Sequence, residues 1–132
     1  MAQLERWNVL ARALRDLHRA LVDQARRDYQ REHLRMDVPP GELLHLLMTA
    51  PEFDWLRGLS ELMVEIDAMR DDEPELLEGL TGSIRTAVER FITPTREGQT
   101  PNAFAQRYWH YLHQDPHVAM AHAAVKQALR AL

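Results

Sequence analysis

Apolar residues recur every three or four positions along almost the whole chain, and no segment alternates apolar and polar residues in the manner of a strand. At about 100° per residue, a spacing of three and four puts apolar side chains on one face of an α-helix. The pattern therefore predicts an all-α protein. Over residues 3–33, Trp7, Leu10, Ala11, Leu14, Leu17, Leu21, Val22 and Ala25 share one face, and Arg12, Arg15, Arg19 and Arg26 share a flank. "RMDVPPG" ends this helix, since two prolines and a glycine cannot continue it. A short helix over 42–48 follows and stops before Pro51.

The next helix, 51–70, begins with Pro51, Glu52 and Asp54, which suit the positive end of a helix. Its apolar stripe is Trp55, Leu56, Leu59, Leu62, Met63, Ile66 and Met69. A third, 75–92, follows Pro74 and carries Leu77, Leu80, Ile84, Ala87 and Phe91. Gly79 and Gly82 weaken it, by up to about 1 kcal/mol each relative to alanine, and leave room for a close helix contact. "TPTREGQTP" reads as the longest polar loop. The last helix, 101–131, sets Phe104, Tyr108, Tyr111 and Leu112 on one face. It breaks at Asp115, which can cap, and Pro116, which can begin a new helix packing Val118, Ala121, Val125 and Leu129. The expected architecture is one domain over 1–132, an up-down bundle of four principal helices plus a short helix, the last helix broken near Asp115 and Pro116.

At 132 residues such a domain buries a sizeable core without a staple. No cysteine is present, which excludes disulfides, thiolate metal sites and cysteine nucleophiles. The first 20 residues are charged throughout and lack the apolar run of a secretory signal, and no stretch is apolar enough to span a membrane. The expected location is the cytoplasm. Charge divides the chain. Residues 1–35 hold eight Arg against five acids, residues 42–80 hold eleven acids against two Arg, and residues 81–132 hold six basic residues against three acids. The acidic middle is read as a solvated layer beside basic ones.

The stretch 41–67, "GELLHLLMTAPEFDWLRGLSELMVEID", together with "AHAAVKQAL" near the end, resembles a group of short all-helical bacterial proteins without an assigned function. The likeness rests on apolar pattern and a few acids. It implies a helical bundle and brings no activity, ligand or catalytic residue with it.

Candidate chemistry is sparse. Glu42 and His45 stand in Glu-x-x-His spacing, the half-motif of carboxylate-bridged di-metal bundles, but such sites need two copies on long helices. Glu61 and Glu65 lie toward solvent, away from the Leu59/Ile66 stripe. No metal site is favoured and no cofactor is expected. Two metal alternatives are Asp28 and Glu32 meeting Glu42 and His45 across the Pro-Pro turn, with His33 nearby, and a core pair of His18 and His122. His110, His113 and His117 read as a surface cluster. There is no glycine-rich phosphate loop and no serine in a strained turn. An acidic chain without a nucleic-acid module argues against nucleic-acid binding.

Trp109 lies about 100° or more off the Phe104/Tyr108/Tyr111 face, and an outward Trp is a hint of a partner. A first helix of about 45 Å beside shorter ones leaves apolar surface for the short helix or a second copy to cover. The expected function is therefore non-catalytic: self-association, as a homodimer, or binding of another protein, with Trp109, Glu61 and Glu65 as interaction residues. A metal- or small-ligand-binding bundle is the alternative. The 41–56 stretch is expected to pack as a corner, with three of Leu43, Leu44, Leu47 and Met48 closing the end of the bundle.

Overall fold

The computed structural model describes residues 2–93 and 103–132; most of the "TPTREGQTP" loop lies outside them. Among the described residues the chain is entirely helical, with no strand. In order come α1 (Ala2–Glu32), α2 (Pro40–Thr49), a 3-10 turn (Pro51–Leu56), α3 (Arg57–Asp72), α4 (Pro74–Gly79), α5 (Thr81–Ile92), α6 (Ala103–Gln114) and α7 (Pro116–Arg130). No helix is long and apolar enough to cross a membrane among these residues.

Among the described residues, the four principal helices and the short helix expected from the pattern are thus seven α-helices and a 3-10 turn: the short helix is α2, and the last three principal helices are each divided. The second is preceded by six residues of tighter 3-10 turn, which sink Phe53, Trp55 and Leu56 into the core. The third divides at Leu80, whose N–H reaches back to the carbonyls of both Leu76 and Leu77. Gly79 stands at this break, where its missing side chain costs helix propensity. The close contact expected at Gly79 or Gly82 is found elsewhere. A Cβ at either would meet nothing within 4 Å, whereas one at Gly58 would lie 3.3 Å from the Phe91 ring. The last helix divides where expected. Asp115 accepts from the His117 N–H at 3.3 Å, and Pro116 takes the first helical position, satisfying an N–H that the helix cannot.

Helix α1 is the spine. It touches the 3-10 turn, α3, α6 and α7. Trp7, Leu10, Ala11, Leu14, Leu17, Leu21 and Ala25 are buried, joined by Ala13; Val22 is half-buried. Helix α3 runs back along α1, with Ser60 beside His18 and Ile66 beside Leu14. Helix α7 runs back along another side, with Asp115 bonded to Gln24 and Ala124 near Asp16. On α7, Val118, Ala121, Val125, Ala128 and Leu129 are buried, and the alanines permit close approach. On α5 the buried line is Ile84, Val88 and Ile92, while Leu80, Ala87 and Phe91 are only partly covered. Aromatic rings close the middle: Phe104 stacks on Tyr108 and meets Phe91 edge-on, with centroids 5.4 and 5.0 Å apart, within the range favoured by ring quadrupoles.

The account of α1 as spine predicts a sharp contrast along it. Leu17 has no exposed surface, so Leu17→Ala is expected to destabilise by about 2–5 kcal/mol. Arg15→Ala, on the exposed flank, is expected to stay within about 0.5 kcal/mol. Urea denaturation of both variants measures the difference.

Candidate functional site

Among the described residues, polar or uncovered side chains gather at the far end of α1 with α2, around His18, around His122, and in a cleft between α5, α6 and α7.

At the end of α1 the helix stops in a left-handed turn. Leu34 has φ of 54°, the Arg35 N–H bonds the Gln30 carbonyl at 2.8 Å and the Leu34 N–H bonds the Arg31 carbonyl. This is the usual way to satisfy the last carbonyls, with glycine the usual residue at the left-handed position. Arg35 then forms a two-pronged pair with Glu42, tying the connection to the first turn of α2. The Arg35 hydrogen bond holds the Glu42 carboxyl below its ordinary range. Val38 is buried in the same connection.

The acids at this end disperse. Asp28 accepts from the Tyr111 hydroxyl and from Arg31, and lies 4.0 Å from Arg107. It works as a tie between α1 and α6. Burial raises the Tyr111 phenol, against the opposing pull of Arg107. Glu42 is engaged by Arg35, and His45 is exposed. The quartet Asp28, Glu32, Glu42 and His45 is therefore not gathered. Glu32 instead joins His33 and Glu52, whose ligand-type atoms lie within 4.8 Å of one another. His33 and Glu52 already bond each other at 2.7 Å, and all three residues are exposed. The trio needs no ion to be satisfied.

His18 and His122 also have separate partners. His18 is half-buried, with Nε2 2.8 Å from Ser60 Oγ on α3. His122 is half-buried on α7, with Nδ1 bonded to the Tyr108 hydroxyl of α6. Burial keeps the Tyr108 hydroxyl protonated well above its ordinary range, so it has a proton to donate. The hydroxyl and Nδ1 share one hydrogen bond, whose direction is set by the tautomer of His122. Burial lowers both imidazoles below 6.5, and at His122 the Lys126 ammonium lowers it further.

The cleft between α5, α6 and α7 has a volume of about 680 Å³. Trp109, 44% exposed, forms part of its wall, with His122, Lys126 and Arg130 on α7 and Arg85 on α5. The Trp109 position is the one expected interaction residue in this cleft. Glu61 and Glu65 are exposed on α3 and do not line it. Lys126 and Arg130 stand at i,i+4, but the sequence reading did not single them out, and nothing in it placed Arg85 opposite them. Comparison with protein-family models, with curated proteins and with solved structures finds no match for the chain.

Because His18 and His122 titrate lower folded than unfolded, the unfolded chain binds more protons as pH falls through 6.5. Their contribution to stability is complete above that value and is lost toward the lowered folded values. The melting temperature is expected to fall between pH 7.5 and 5.5, and to fall less in His18→Gln. A rise on acidification would contradict the assignment.

Proposed function

We propose that the protein is a non-catalytic interaction module of the cytoplasm that self-associates as a homodimer through α2 and the connection before it. One observation carries the reading. In ten residues α2 holds Leu43, Leu44, Leu46, Leu47 and Met48, yet buries none of them fully. Leu43, Leu46 and Leu47 rest partly against the core. Leu44 and Met48 are 60% and 68% exposed, one helical turn apart, and Leu34 and Met36 are 93% and 99% exposed. The packed corner is thus only half packed: of Leu43, Leu44, Leu47 and Met48, two lie against the bundle and two face outward.

Burial of a Leu or Met side chain contributes about 1.5–3 kcal/mol. Four from each of two copies give a sum of the size needed to offset an association cost of roughly 4–15 kcal/mol. A two-fold arrangement uses the same patch on both copies, so no second kind of surface is required. Leu34 adds a separate argument. A left-handed leucine costs about 1–2 kcal/mol, and its side chain gains nothing from the rest of the chain at 93% exposure. Covering it in a dimer supplies what the fold of one copy does not.

The test uses sedimentation equilibrium over a wide concentration range. The native chain is expected to reach twice the 15.4 kDa monomer mass. Leu44→Glu with Met48→Glu is expected to weaken association by at least about a hundredfold, since it places two charges in an apolar contact. Leu34→Gly is expected to raise the melting temperature of the dilute monomer while weakening association. A monomer at every concentration, or a dimer indifferent to all three substitutions, refutes the proposal.

A further inference from the structure

The cleft between α5, α6 and α7 is separate from the α2 surface and has its own chemistry. Its size of about 680 Å³ falls within the roughly 300–1,000 Å³ of small-molecule sites. Its sign is opposite to that of the chain. The protein carries a net charge of −4, yet among the described residues the cleft sets Arg85, Lys126 and Arg130 against one acid, Glu89. Arg85 is engaged by the Leu132 carbonyl at 2.8 Å. Among the described residues, Lys126 and Arg130 have no carboxylate partner. Arg130 also lies in the last turn of α7, where a cation complements the helix end. That explanation does not reach Lys126, a turn earlier, or Trp109 on the other wall.

The apolar part is equally definite. Leu112 and Leu129 line the cleft beside the Trp109 ring, giving a flat aromatic surface next to aliphatic ones. His122 stands one turn before Lys126. Its Nδ1 is bonded to the Tyr108 hydroxyl. An acid group that meets Lys126 and Arg130 thus lies among donors, and the body attached to it lies on carbon.

We propose that this cleft binds a small organic anion with an apolar body, its acid group between Lys126 and Arg130 and its apolar portion against Trp109 and Leu112. Charge complementarity selects an anion over a cation or neutral molecule, and the apolar wall selects against a bare inorganic ion. Separate cations on one helix face suit a carboxylate or phosphate oxygen in charge-assisted hydrogen bonds, which are the strong class.

The test compares three probes with the same ten-carbon chain, decanoate, decanol and decylamine, each below its micelle concentration, by titration calorimetry on the full chain. Decanoate is expected to bind one to one, at least about tenfold more tightly than decanol, with decylamine weakest. It should shift the tryptophan emission of the native chain and not of Trp109→Phe, because Trp7 and Trp55 are buried. Lys126→Glu with Arg130→Glu changes two exposed residues. This pair is expected to weaken decanoate at least about tenfold at unchanged sedimentation, with only the small drop in melting temperature that two acids near the end of α7 cause. Equal binding of the three probes, no saturable binding, or decanoate binding unaffected by the double substitution overturns the proposal. So does a short Glu-Leu peptide bound in preference to decanoate, which transfers the cleft to a protein partner. Failure of the α2 substitutions to alter association leaves these outcomes untouched, so the two proposals fall separately.

Discussion

A helix of 31 residues that turns Leu10, Leu14, Leu17 and Leu21 to one side must have that stripe covered along its whole length, because each exposed leucine forfeits about 1.5–3 kcal/mol. No other helix among the described residues is as long. The 3-10 turn, α3, α6 and α7 therefore share the task, α3 and α7 along its flanks and the aromatic rings of α6 near its later turns. Most of the ties between elements follow from this arrangement. His18 reaches Ser60 from α1 to α3, Gln24 reaches Asp115 from α1 to α7, and Tyr111 reaches Asp28 from α6 to α1. Among the described residues the indole N–H of Trp7 has no partner in the core, a cost that burial of so large a ring outweighs.

The same constraint explains why α2 is uncovered. The flanks of the spine are occupied by longer helices, and α2, just past its end, makes its main contacts with the 3-10 turn. A ten-residue helix placed there can lean on the 3-10 turn but cannot enter the core. Its leucines then have one side against the protein and one against water. The cleft has a related origin. Helices α6 and α7 meet α1, whereas α5 makes its main contacts with α4 and α6. The space left beside α5 is where Lys126, Arg130 and Trp109 project.

Much of this was legible in the sequence. The stripe of α1, the break at Asp115 and Pro116, the stop at "VPPG" and the outward setting of Glu61, Glu65 and Trp109 all follow from local rules of spacing and capping that need no tertiary information. What local rules could not supply was the distribution of the ends. The 3-10 turn at 51–56 looks like ordinary helix in sequence, because proline and two acids suit either start; burial of Phe53 decides it. The division at Leu80 depends on how α4 and α5 pack, not only on Gly79. The acids near the Pro-Pro turn all sit close in sequence, but each partner was set by which Arg or Tyr came within reach: Arg35 for Glu42, Tyr111 for Asp28. A left-handed leucine at position 34 has no signature at all, since sequence rules expect glycine there.

The central claim is that the surface of α2 is uncovered in one copy and covered in two. Hydrogen–deuterium exchange of the α2 amides as a function of protein concentration tests it most directly. The account predicts that residues 43–49 exchange rapidly in dilute solution and become protected as concentration rises, while the amides of α1 between Leu10 and Leu21 stay equally protected throughout. Exchange in α2 that is independent of concentration, in a range where the rest of the chain is folded, would contradict it.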